Sequence, residues 1–182
     1  MKPWEKNLLR FALADHAFRE ADALAEHIIE FKSPADSHLM SAALTGVVVC
    51  YCRPFVSATG LGPLPQSMQE FTGVKEEKAL RAAHDTLFEA RHRMAAHFDR
   101  THSEAQHKAG VLPLAPSEVV IDLQRHGFVV STNAAYLNPE MLPAARTLFT
   151  FQMKRVTEHL GVFAVELLKE HRKMDRFVFK VP

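Results

Sequence analysis

Glycine and proline interrupt this chain so unevenly that long helices are nearly forced on it. Neither occurs between Trp4 and Ser33, nor between Gly73 and Gly110. Both residues break helices, glycine through backbone entropy and proline through its missing N–H. Stretches without them are therefore free to run for many turns. Trp4, Leu8, Phe11, Phe18, Ala25 and Ile29 recur at helical spacing and predict a first helix from Pro3 to Phe31. Pro3 sits near its start, where a missing N–H costs nothing. Ser33-Pro34 opens a second helix, with Ser33 as N-cap, which runs to Arg53 before Pro54 interrupts it. Ala58 to Gly73 reads as a loop, of a length that is often functional or mobile. A third helix is expected from Val74 to His102, then a loop from Ser103 to Pro116.

The segment Ser117 to Asn133 differs in kind. Val119-Val120-Ile121 and Phe128-Val129-Val130 flank Gln124-Arg125-His126-Gly127, which reads as a small hairpin. A short helix capped by Ser117 and ended by Gly127 is the alternative. Asn138-Pro139-Glu140 then supplies an N-cap, a first-turn proline and an acid. The fourth helix runs from there to Lys173, ahead of a short tail. The expected fold is one mainly all-α domain over residues 1–182, an up-and-down bundle of four long helices with a β-hairpin before the last.

Composition narrows the function classes. Hydrophobic residues make up 47% and charged residues 24% of the chain, which excludes a disordered or low-complexity protein. Only 7 glycines argue against an all-β fold rich in tight turns. A net charge of +1 leaves no bulk basic field, so nucleic-acid binding requires a local cluster. Cys50 and Cys52 are too close together for an easy disulfide and too few for a structural zinc site. They read as free thiols of a reducing compartment. With no apolar signal core and no run of 18 apolar residues, a cytoplasmic protein without a membrane segment is expected.

The third helix carries the chemistry. At 100° per residue, Leu80, Leu87, Met94 and Phe98 form one apolar stripe. Arg91 falls inside this stripe and His97 at its edge, while Arg93 points to the opposite face with Glu89 and Arg100, as a solvated charge. A cation on a packing face is costly unless it is paired or at an interface. A guanidinium beside an imidazole suits phosphodiester chemistry, the imidazole moving a proton and the guanidinium forking onto phosphate oxygens. The structural alternative is that Arg91 bridges to Asp15 or Asp22, which lie on the apolar face of the first helix.

The run Arg91-His92-Arg93-Met94-Ala95-Ala96-His97 resembles the signature of the HEPN superfamily (higher eukaryotes and prokaryotes nucleotide-binding), an Arg with a polar neighbour and a His a few residues on. Here five residues separate Arg91 from His97. Ala95-Ala96-His97-Phe98-Asp99 is similar to the ending common in abortive-infection-like members, and Arg53-Pro54-Phe55 resembles an element of the same group. The resemblance implies a metal-independent endoribonuclease of toxin, abortive-infection or RNA-processing type. It also implies a homodimer with both motifs in one cleft, RNA as substrate, an antitoxin as candidate partner, and no cofactor. By the same resemblance His97 is the general acid/base, Arg91 holds the phosphate and its transition state, and His92 orients the pair or contacts RNA. The chain departs from the pattern at Asp99, where one toxin subset has tyrosine, and no Glu-x-x-x-Lys precedes Arg91. The alternative function is a non-catalytic HEPN-like module for dimerisation and for partner or nucleic-acid binding.

Two further residues are candidates for substrate binding. Arg53, before Pro54, is placed either to reach a phosphate or to tie down the following loop. His84, on the apolar stripe one turn before Leu87, is either a satisfied core histidine or a support for the site. His97, His102 and His107 recur every five residues and diverge by 140° per step on a helix, so they share no face and suggest no metal site.

Overall fold

The computed structural model describes residues 2–31, 37–56, 61–95, 118–124, 127–133 and 137–170. Four long helices make up most of it: α1 (Pro3–Phe31), α2 (Ser37–Cys52), α3 (Glu77–Ala95) and α4 (Leu142–Glu170). The fold is all-α in class. α1 begins at Pro3, as its sequence dictates, and the Lys2 backbone N–H donates to Glu5 Oε2 at 2.7 Å across the first turn. α3 starts three residues later than its apolar periodicity suggests, because Gly73, at φ 82°, starts a turn instead. The Gly73 N–H donates to Glu77 Oε2 at 3.2 Å, an acid placed at a helix start. Asn138 acts as a cap, its Oδ1 accepting from the Glu140 N–H at 3.0 Å, but of a 3-10 turn (Pro139–Met141) that leads into α4. Two short strands, β1 (Glu118–Gln124) and β2 (Gly127–Asn133), pair antiparallel, with Ile121 opposite Val130 and Leu123 opposite Phe128.

α1 packs on both α2 and α4, and α3 packs on the same two helices, so the four close into a ring in chain order. α1 runs antiparallel to α4, since Phe11 meets His159 and Phe163 while Asp22 and Glu26 meet Arg146. It is also antiparallel to α2, since Glu20 meets Arg53 and Leu24 faces Gly46. The buried face of α1 explains the tightness of this centre. Ala14, Ala17, Ala21 and Ala25 are all buried along it, and small side chains let neighbouring backbones approach. Phe18, flanked by those alanines, fills the middle and packs on Tyr51 and Phe55, with ring centroids 5.6 and 5.7 Å away.

The stretch expected as an open loop is, from Leu61 onward, a packed plug. Leu61, Leu64, Met68 and Phe71 are all buried. They recur three, four and three residues apart, as on a helix face, but Gly62, Pro63 and Pro65 among them bar a continuous helix, so the sequence reads as loop. Polar groups on α1 and α4 hold this backbone. Arg10 donates to Leu61 O through Nε (3.2 Å) and Nη2 (2.6 Å). Gln152 Nε2 donates to Met68 O at 2.9 Å. Arg155 reaches the carbonyls of Ser67, Met68 and Glu70 at 2.6, 3.1 and 3.2 Å. Connecting backbone without helix or sheet partners needs such donors when it is buried.

Candidate functional site

The Arg53-Pro54-Phe55 element and Arg91 are 36 residues or more apart in the chain, yet the turn that holds the first packs on α3 one turn before Arg91. Residues 53–55 form a 3-10 turn directly after α2. Phe55 packs on Phe88 of α3 with ring centroids 5.8 Å apart. One residue before that turn, the Cys52 thiol donates to Leu87 O at 3.5 Å. Burial pushes this thiol up to about 12, and the nearby Arg91 guanidinium pulls in the opposite direction without overcoming it. Arg91 therefore stands next to the end of α2, half-buried, one turn beyond Leu87 on α3.

Neither carboxylate suggested as a structural partner of Arg91 serves it. Asp15 is engaged by Arg19 of its own helix at 2.7 Å, and Asp22 by Arg146 of α4 at 2.8 Å. Among the described residues Arg91 makes no ion pair. His92 beside it is exposed. Arg93 is not the free solvated charge that the helix geometry suggests. It pairs with Glu89 one turn back at 3.0 Å, and the two side chains are 19% and 17% exposed. His97 lies outside the described residues, as do His102, His107 and the expected continuation of α3 to His102.

Arg53 is exposed and forms an ion pair with Glu20 of α1 at 3.1 Å, while its Nη2 also approaches Cys50 Sγ at 3.8 Å. Its guanidinium thus joins α1 to the end of α2. His84 has the opposite environment. It is 7% exposed and enclosed by rings: Tyr51, Phe55, Phe71 and Phe88, with centroids between 4.6 and 5.8 Å away. Its Nδ1 shares a 2.6 Å hydrogen bond with the Tyr51 hydroxyl. Burial lowers the His84 pKa to about 4, with Asp85 raising it and Arg81 lowering it further. The same burial raises Tyr51 well above its ordinary value. At neutral pH this pair is a neutral hydrogen bond inside an aromatic core, remote from solvent.

Tyr51, Gln152 and Arg10 went unnoticed at the sequence level. Tyr51 and Gln152 sit in helical apolar patterns and carry no local signal of their polar roles. Arg10 is held by a carbonyl 51 positions away. Among the described residues no group of three metal-ligating side chains gathers, and no helix is long and apolar enough to cross a membrane. Comparison of the chain with protein-family models, curated proteins and solved structures finds no match.

Proposed function

We propose that this protein is a HEPN-like, metal-independent endoribonuclease of the toxin, abortive-infection or RNA-processing kind, acting as a homodimer through Arg91 and His97. The observation that carries the reading is the state of Arg91. It is half-buried on a helix, without a carboxylate partner among the described residues, and next to the Arg53-Pro54-Phe55 element. A half-buried unpaired guanidinium is costly for a monomer and useful to a protein that binds phosphate across an interface. In this reading the His97 imidazole takes the 2′-hydroxyl proton of RNA and returns one to the leaving oxygen. Arg91 forks onto the phosphate oxygens and offsets the charge that builds there. His92, exposed one residue on, orients the pair or contacts RNA. Arg53 is the supporting cation.

The test is cleavage of a mixed RNA pool in EDTA. Wild-type protein should cut, and Arg91→Ala and His97→Ala should each lose about 100-fold to 10,000-fold in rate while keeping the wild-type circular dichroism spectrum. The rate should follow a bell-shaped pH profile centred near neutrality. A folded wild type that cuts nothing makes the chain a non-catalytic helical module for dimerisation or binding.

A further inference from the structure

A small cleft of ≈ 80 Å³ lies between α1 and the backbone that leaves α2. Arg10 and His16 contribute from α1, Arg53 and Val56 from the α2 end, and Gly62 from the connection beyond. None of the described residues that line it is acidic. Its two guanidinium groups have hydrogen-bonding capacity to spare. Arg10 spends Nε and Nη2 on Leu61 O, and its Nη1 has no partner among the described residues. Arg53 spends Nη2 on Glu20 and Cys50, leaving Nε and Nη1. Gly62 keeps the wall open. It sits at φ 79°, and a Cβ there would stand 3.4 Å from Arg10 Nη2. Among the described residues one carboxylate engages this group, Glu20, which holds Arg53 at 3.1 Å with one oxygen and meets His16 at 3.3 Å with the other.

Two guanidinium groups with unused N–H donors, lining one cleft with no acid among its described residues, suit a tetrahedral oxyanion. The volume suits a group the size of a few waters, such as one phosphate, and not a nucleoside. We propose that this cleft is a phosphate-binding site in which Arg10 and Arg53 donate to the anion and Glu20 is the internal competitor that holds Arg53 and His16 in its absence. The site shares Arg53 with the nuclease reading but needs neither Arg91 nor His97, so it would bind phosphate in a protein that cuts nothing. A free phosphate and the phosphate of a polynucleotide share the chemistry required.

The test is a titration of the full chain with inorganic phosphate, followed through the arginine Nε–H signals in NMR. The Arg10 and Arg53 signals should shift with a common binding curve. Arg53→Gln should weaken binding about tenfold or more. Glu20→Gln should tighten it several-fold, an effect no merely destabilising change would produce. Lys154→Gln, an exposed charge change on α4, should leave it unaltered. Oligodeoxynucleotides with and without a terminal phosphate identify the source, and lacking the 2′-hydroxyl they give binding free of cleavage. Competition by both means a backbone phosphate, competition by the phosphorylated one alone means a chain end, and competition by neither means free phosphate. The proposal is overturned if phosphate shifts neither arginine signal, if Glu20→Gln weakens binding, or if Arg53→Gln and Lys154→Gln weaken it equally.

Discussion

At the scale of single residues, the Tyr51–His84 pair shows most directly how burial sets chemistry. The folded-state pKa of about 4 lies below the ordinary histidine value of 6.5. The unfolded chain therefore binds the extra proton first as pH falls, and stability drops between pH 6.5 and about 4. Below that both states are protonated and the contribution is gone. The shift corresponds to about 3 kcal/mol at most. Denaturant midpoints measured against pH should fall across this window in the wild type and change less in His84→Leu. Tyr51→Phe leaves His84 Nδ1 buried without its partner and should cost about 1–3 kcal/mol in urea unfolding at neutral pH. Thiol chemistry follows the same logic. Cys52 is buried with its thiol near 12, so alkylation of the native protein should label Cys50 slowly and Cys52 only after unfolding, as read by mass spectrometry.

At the scale of elements, two glycines inside helices have opposite meanings. Gly161 lies in α4, exposed, with nothing near the place its Cβ would occupy. Gly161→Ala should stabilise the protein by roughly 0.5–1 kcal/mol, through reduced backbone entropy in the unfolded chain. Gly46 lies in α2, where a Cβ would meet Leu24 Cδ1 at 3.0 Å. Its absence of a side chain sets how closely α1 and α2 approach. Gly46→Val should cost about 1–3 kcal/mol by overpacking, and thermal unfolding of the two variants should move in opposite directions. The connection before α3 depends on a single side chain in a similar way. Arg155→Met removes the donors to three carbonyls of the plug while keeping the aliphatic stem. It should raise hydrogen exchange at residues 66–70 more than at the centre of α1.

At the scale of the whole molecule, four helices and their order were legible in the chain alone. Without glycine or proline, stretches such as 4–33 have backbone hydrogen bonds that only a helix satisfies locally, and apolar residues at helical spacing fix which face is buried. The start of α1 at Pro3 and the capping role of Asn138 follow from local chemistry that needs no neighbour. So does the proximity of Arg91 to the apolar stripe of α3. The destinations of polar side chains were not legible, because each depends on a partner far along the chain. Arg93 was placed in solvent by helix geometry and is instead largely covered in a pair with Glu89. Asp15 and Asp22 had the right location on α1 to meet Arg91, but Arg19 and Arg146 hold them. Leu61, Leu64, Met68 and Phe71 recur at helical spacing in a stretch whose glycine and prolines bar a helix, so only the tertiary structure shows that they are buried. The cleft of Arg10, His16 and Arg53 likewise exists only once α1 lies against the end of α2. Periodicity and local hydrogen bonding act over one or two turns, and a sequence displays them directly. Pairing between distant charges, and the void that remains where helices do not quite meet, arise from packing in three dimensions, and the tertiary structure alone decides them.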